Sequence, residues 1–556
     1  MDKSWLRSYP AGIPHTIELD PEESLVDLFA EACEKYADRP AFTNYGHTIS
    51  YTELDDLSAR FAAWLQTETG LDRGDRVAIM MPNLLQYPIT LFGVLRAGMV
   101  IVNVNPLYTA RELEHQLIDS RARAIVIAST AAATLAEIID ETSVEQVVVT
   151  GIGDLLGFPR RPLVNFVVRY VKRMVPAYTL ANQTPIREVL ATPADRGQSV
   201  SLSADDIACL QYTGGTTGRS KGATLTHGNL VANVRQLGAW FDSRVDEGAE
   251  IMITALPLYH VYALTCNCLT YLYFGAQNIL ITDPRDTAGF IAELKKWKFT
   301  AITGVNTLYQ SLINHPRFAE VDFSSLDLAS AGGMAVMDDT AQKWFKVTGT
   351  EIIEGYGLSE TSPVVTSNPV NIPGFSGSIG LPLPSTDISL RDENGKEVPV
   401  GEPGELCVSG PQVMSGYWND DAATAAAMTP DGYLKTGDIA TVDENGFFRI
   451  VDRKKDMIIV SGFNVYPNEV ENVVTMHPEI VEAACIGVKN NAGREIVKVF
   501  VVLRAGSSVT VDEIRDYCRE NLAAYKVPKL VEFRDTLPKT AVGKILRRAL
   551  REDADE

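Results

Sequence analysis

The apolar residues of the first two thirds of the chain fall in short solid blocks separated by longer stretches of helical period. Val77–Met81 and Met99–Val104 read as buried strands, with a helical run, Leu84–Arg96, between them. Ala124–Ala128 and Val147–Thr150 repeat the strand pattern. Beyond Lys221 it returns at Ile251–Leu256, Ala301–Gly304, Leu326–Ala331 and Glu351–Glu354, with Phe290–Trp297 helical. Continuous apolar strands alternating with helices predict parallel sheets covered on their faces. After about Phe375 the pattern changes to alternation around two copies of Asp-Glu-Asn-Gly, at Asp392–Gly395 and Asp443–Gly446. Asn-Gly supplies the positive φ of a tight hairpin turn, so 376–451 is predicted to be a small antiparallel module. Five charged residues, Asp452–Asp456, then interrupt the strand pattern, and a β-α-β-β-α-β-like stretch ends in a basic helix. The expected organisation is α/β. It has an N-terminal domain, 1–451, of two α/β subdomains plus the β module, a hinge at Asp452, and a small mobile α+β C-terminal domain, 452–556.

One stretch tests the distinction between core and membrane. Ile251 to Thr282 contains no Asp, Glu, Lys or Arg and is long enough to span a bilayer. It also holds Pro257, His260, Asn267, Gly275, Gln277 and Asn278, which a span would strand in hydrocarbon, so buried core is expected. The N-terminus has no apolar signal-like run.

Charge narrows the function. Fifty Lys and Arg against 71 Asp and Glu give a net charge of −21 in 556 residues, which excludes a general nucleic-acid binder. Any bound polyanion has to be met by locally concentrated positive groups. Seven cysteines without a paired CxxC motif read as free thiols in a reducing compartment. Against the acidic background, 159–176 stands out. Arg160, Arg161, Arg169, Lys172 and Arg173 lie there without an acid, beside Leu163, Phe166, Val171 and Met174. That composition suits peripheral contact with an anionic membrane surface. The expected location is the cytoplasm, with attachment at the inner membrane face. Sequence alone leaves open whether the chain works as a monomer or a homodimer.

The strongest chemical signal is Tyr212-Thr213-Gly214-Gly215-Thr216-Thr217-Gly218-Arg219-Ser220-Lys221-Gly222. Its glycines let backbone N–H groups approach an anion, its threonines donate hydroxyls, and Lys221 adds charge. It is not a Walker A loop, because Ser220 and Gly222 flank the lysine where Gly and Ser/Thr belong. Glu354-Gly355-Tyr356-Gly357-Leu358-Ser359-Glu360-Thr361 follows a strand and offers the carboxylate of Glu360, a suitable oxygen ligand for Mg²⁺. Tyr433–Asp438 presents an acid that suits a ribose diol, with Arg453 at the hinge. Pro538–Ile545 puts Lys544 on a glycine turn before the last helix.

These segments, with Ser461-Gly462-Phe463-Asn464-Val465-Tyr466, resemble the acyl-adenylate-forming ligases from about Leu25 to Leu550. LQYTGGTTG, ALPLYHVYAL and ELCVSGPQVMSGYW are most similar to the bacterial long-chain-fatty-acid–CoA ligases. The resemblance implies ATP, coenzyme A and a long-chain fatty acid as substrates and Mg²⁺ as cofactor. It implies that Thr213 to Lys221 embrace pyrophosphate, and that Thr213 and Glu360 serve the metal. Asp438 and Arg453 are implied at the ribose, Gly332, Gly333 and Gly355 to Leu358 along the adenine, and Lys544 in adenylation. It implies further that the C-terminal domain turns between two half-reactions, bringing the Gly462 side toward acyl-AMP. His260 matches a position near the acyl carboxylate, with a satisfied core histidine as the alternative. Ser359 replaces the family's more usual threonine. Absence of acid from Ile251 to Thr282 favours an uncharged acyl tail. A related ligase using another carboxylic acid, or passing the acyl group to a carrier-protein thiol, stays open on these grounds.

Overall fold

The computed structural model describes residues 3–213, 220–370, 374–460, 463–490, 494–540 and 545–555. Two large sheets dominate it. The first has the strand order Gly416–Tyr417, Lys221–Thr226, Ile207–Thr213, Val100–Asn103, Arg76–Met80, Ala122–Ala128, Gln146–Thr150, Gln183–Pro185. It is parallel from Ile207–Thr213 onward, and antiparallel where Lys221–Thr226 folds back. The second carries Ile352–Gly357, Leu328–Ala331, Ala301–Gly304, Ile251–Thr254 and Gln277–Leu280 in parallel, with short antiparallel strands at both edges. Helices cover the faces, so the central strands are buried almost throughout; Val77, Ala78, Ile79 and Met80 are fully buried. The chain is α/β.

Local chemistry starts and stops these elements. The helices Leu25–Lys35, Tyr51–Glu68 and Ala110–Ser120 each begin at a Ser or Thr whose hydroxyl caps the first turn while an acid three residues on caps back. The uncharged stretch from Ile251 resolves into the strand Ile251–Thr254, helical segments through Thr270–Tyr273, and the strand Gln277–Leu280. Two of its asparagines are bonded inside the core: Thr303 donates to the Asn267 amide oxygen at 2.8 Å and Thr254 to that of Asn278 at 2.7 Å. Among the described residues no helix is long and apolar enough to cross a membrane.

Asp387–Arg391, Gly404–Ser409, Leu434–Val442 and Phe448–Arg453 form a four-stranded antiparallel sheet. Gly395 and Gly446 turn with φ of +77° and +86° in the two Asp-Glu-Asn-Gly repeats. The last strand runs through Asp452 to Arg453, so the charged run starts inside the sheet instead of ending it. Asp452 is tolerated there, fully buried, because an arginine from the end of the chain meets it. Beyond it lie a short hairpin of Ile458–Val460 and Phe463–Val465, then Pro467–Thr475, Ile480–Lys489, Glu495–Leu503, Val511–Asn521, Leu530–Phe533 and Arg547–Asp555. The order is therefore ββαββαβα. The opening hairpin strands span three residues each, too short for periodicity to register.

Candidate active site

One cleft of about 1760 Å³ is lined by the ends of strands from both large sheets, by the four-stranded sheet and by the C-terminal segment. Its direction can be read from the parallel strands. Leu328, Ser330 and Gly332 line it successively along one strand, and Ile353, Gly355 and Gly357 along its neighbour, with Ser330 opposite Ile353. The apolar residues stand toward the strand starts and the glycines at their carboxyl ends, where open α/β sheets bind ligands. A helical segment crosses the same wall in reverse. His260 caps it, its Nδ1 accepting from the Tyr262 N–H at 3.2 Å. Tyr262 lies 3.2 Å from where a Gly332 Cβ would stand, and Tyr271 packs with Leu328, Phe241 and Ile353.

At the glycine end, Thr213 and Lys221 face each other across an antiparallel register pair. Gly214, Gly215, Thr216, Thr217 and Gly218 between them lie outside the described residues, as do Gly462 and Lys544. The Lys221 ammonium stands 3.7 Å from the Asp420 carboxylate and 5.2 Å from the Tyr417 ring centre. Glu360 sits in the single turn Ser359–Thr361, against which the strands ending at Thr213 and starting at Lys221 pack. The Tyr417 hydroxyl donates to Glu360 Oε1 at 2.7 Å, and the Met414 N–H donates to the Glu360 carbonyl at 2.8 Å. Gly357 has to be glycine, because a Cβ there would stand 1.8 Å from the Pro363 carbonyl oxygen. Gly333 adopts φ +78° just past the strand Leu328–Ala331.

Asp438 is buried and held from two sides. Arg453 Nε lies 2.9 Å from Oδ1, directly across the strand pair, and the Tyr356 hydroxyl donates to Oδ2 at 2.6 Å. Burial, with Asp438 adding to it, drives the Tyr356 phenol well above its ordinary pKa, so it stays a donor. Glu354, on the same strand, is buried and accepts from the Val336 N–H at 2.8 Å; burial pushes its carboxyl up to about 7. Thr213, Lys221, Gly332, Gly333, Gly355, Tyr356, Gly357, Leu358, Glu360, His260, Asp438 and Arg453 thus all line one cleft. Sequence reasoning missed Tyr417 as the partner of Glu360 and Glu354 as a buried acid. It also missed Arg547, which bonds Asp452, Asp456, Asn468 and Glu471 at the cleft's C-terminal side. The Gly-Tyr-Trp at 416–418 was visible, but only folding shows what the tyrosine meets.

The AMP-binding enzyme family model matches residues 29–418, and its AMP-binding enzyme C-terminal domain matches 469–544. The chain belongs to the AMP-binding enzyme family. It is 54% identical to a long-chain-fatty-acid–CoA ligase of Escherichia coli over 100% of this chain and 99% of that one. A Bacillus subtilis protein of the same name is 40% identical over 100% of this chain and 98% of its own. Among solved structures, ATP-bound MatB from Rhodopseudomonas palustris is 30% identical with a TM-score of 0.83, covering 96% of this chain and 99% of that one.

Proposed function

We propose that this chain is an ATP-dependent long-chain-fatty-acid–CoA ligase of the AMP-forming type. The observation that carries the reading is the continuity of the cleft. Glu360, Asp438 and the glycine strand ends occupy one part of it, and the apolar side chains of Phe241, Tyr271, Leu328 and Ile353 line another. The relatives' shared name supports the acyl class over an aryl acid or a carrier-protein acceptor.

The chemistry follows from that arrangement. Asp438, oriented by Tyr356 and Arg453, accepts from the ribose hydroxyls and fixes the nucleotide. Gly332, Gly333 and Gly355 to Leu358 leave a flat slot for the adenine. Thr213 to Lys221 receive the phosphates, and Lys221 offsets their charge. Among the described residues no cluster of three metal-ligating side chains exists, so Glu360, with the Thr213 hydroxyl, suits an ion that takes its other ligands from phosphate and water. Mg²⁺ bound there would neutralise phosphate charge. His260 and Lys544 orient the fatty-acid carboxylate. Its oxygen bonds to the α-phosphorus as the bond to the bridging oxygen breaks and pyrophosphate departs. The coenzyme A sulfur then bonds to the acyl carbon, the carbon–oxygen bond to AMP breaks, and the thiol proton passes to solvent. A thiol is nucleophilic enough to need no protein nucleophile.

The test is kcat/KM across saturated acids from acetate to palmitate, with benzoate. Each buried CH₂ contributes about 0.8 kcal/mol, so values should climb steeply with chain length; a flat profile would move the assignment to another acid. The exposed side of Arg160–Phe166 and the turn after it supports membrane attachment. Phe158 is 88% exposed and Tyr170 63%, beside Arg169, Lys172 and Arg173. Val164 and Val168 pack inward, which leaves the outer face available. Replacing the five basic residues should weaken flotation with anionic liposomes, and unchanged flotation would refute attachment.

A further inference from the structure

Two walls of the cleft run side by side away from the glycines. On one, Gly332, Ser330 and Leu328 succeed each other toward the start of their strand. On the other, Tyr262, Cys266 and Thr270 recur every fourth residue, so one face of the helical segment lines the cleft. The walls touch at both ends. Tyr262 stands over Gly332, and Tyr271 packs against Leu328. Both give the same depth between those two contacts. Four strand residues at about 3.3 Å each and nine helical residues at about 1.5 Å each both come to about 13 Å.

Tyr271 closes the far end. It is 4% exposed, and its neighbours Leu328, Phe241 and Ile353 line the cleft with it. Met252, Ala276 and Ala301 pack in the same cluster but are buried and take no part in the lining. Among the described residues the tyrosine ring thus stands between the cleft and the protein's own core. Its hydroxyl is buried without a hydrogen-bond partner there, whereas a buried tyrosine usually finds one. The side chain therefore acts by its shape, and its hydroxyl is not what holds it. We infer that the Tyr271 ring is the floor of the acyl tunnel and sets the longest tail that the cleft takes unbent. The inference rests on the reading of this apolar end as the acyl site. Each further carbon buried above the floor strengthens binding about fourfold. A carbon beyond it has to bend the tail or lift the carboxylate away from the nucleotide.

The experiment is kcat/KM for even-numbered saturated acids from octanoate through palmitate to behenate, with wild type, Tyr271→Ala, Tyr271→Phe and Ile353→Phe. The ratio between acids is the readout, because a general loss of packing lowers all of them together and leaves it unmoved. Tyr271→Ala shortens the side chain by about 5 Å, and an extended alkyl chain advances about 1.3 Å per carbon. The optimum should lengthen by about two to four carbons, with behenate gaining about tenfold or more relative to palmitate. Ile353→Phe fills the same end from the neighbouring strand and should lower palmitate about tenfold relative to octanoate. Tyr271→Phe keeps the ring and should keep the wild-type optimum, whatever its rate. An optimum unmoved by Tyr271→Ala would overturn the inference. So would a Tyr271→Phe shift as large as that of Tyr271→Ala, since the tail would then be meeting the hydroxyl. If Tyr271→Ala does not fold, Ile353→Phe decides, and a palmitate-to-octanoate ratio equal to wild type would refute the floor. The wild-type profile separates the two levels. If it does not rise with chain length, the acyl reading falls and the floor with it. If it rises while the variants leave the optimum in place, only the floor falls.

Discussion

Asp438 and Asp452 stand near one strand end, are almost equally buried, and each meets an arginine, yet they are held in opposite manners. Arg547 is enclosed and its donors are shared among four partners, so that cluster is complete without a ligand. Arg453 offers Asp438 one contact of 2.9 Å, and its side chain stays 34% exposed on the cleft. A closed cluster sets a position, whereas an open one keeps donors and acceptors for something that arrives. The sharpest break between them is Asp452→Ala. Arg547 keeps Glu471 and Asp456, but the Asn468 N–H loses its buried acceptor at a cost of about 1–3 kcal/mol, so this variant should melt several degrees lower by calorimetry. The same change at Asp438 should cost much less stability, because solvent already reaches Arg453. Equal losses would mean that both clusters are structural.

Glu354 sharpens the comparison, being buried with a backbone N–H as its hydrogen-bond partner. Its folded pKa, about 7, lies above the ordinary value of 4.5. Between those two values the folded protein binds the proton and the unfolded chain has lost it, so stability falls as pH rises through that window. The cost above it is of the order of 3 kcal/mol. Glu354→Gln keeps an oxygen for the Val336 N–H and removes the charge. Its melting temperature relative to wild type should therefore be higher at about pH 8 than at about pH 5. A difference that does not change with pH would show that this carboxyl titrates normally.

Sequence carried the fold far because its signals here are local. The strand expected at Val77–Met81 is Arg76–Met80, and both Asn-Gly turns adopt the positive φ that such turns need. Gathering of the named residues in one cleft was legible only through resemblance, since Gly332, Glu360 and Asp438 lie far apart in the chain. What stayed hidden depends on pairs formed after folding. Nothing in Arg547-Arg548 distinguishes the buried arginine from the exposed one. The charged run at Asp452 reads as a break in the strand unless the cation that neutralises it is known. Tyr417 reaches Glu360 because its two-residue strand pairs with the one beginning at Lys221, a register that no local pattern announces.

The open cluster is tested directly by Asp438→Ala. Hydrogen bonds to charged groups contribute about 1.5–3 kcal/mol, so KM for ATP should rise by roughly 10–100-fold. Calorimetric titration with ATP should show the same loss in binding. An unchanged affinity would remove Asp438 from the nucleotide site. Tyr356→Phe leaves the carboxylate and its arginine in place and should have the same sign with a smaller size.

The smallest effect concerns Asp420, the carboxylate nearest Lys221. Its Oδ2 lies 3.7 Å from the ammonium, and its Oδ1 accepts from the Ala423 N–H as the cap of the helix Asp421–Ala427. Both partners of the ion pair are well exposed, 47% and 40%, so the pair adds little stability. Asparagine is as good a cap as aspartate, and Asp420→Asn therefore removes the charge while leaving the helix start intact. In the absence of nucleotide the acid competes with phosphate for the lysine. Releasing Lys221 should lower KM for ATP by about two- to fivefold, the equivalent of an exposed ion pair worth 0.2–1 kcal/mol, without moving the melting temperature. A raised KM would give Asp420 the opposite role, holding Lys221 in place for the phosphates, and Lys221 would then belong with Arg547 among the closed clusters instead of with Arg453.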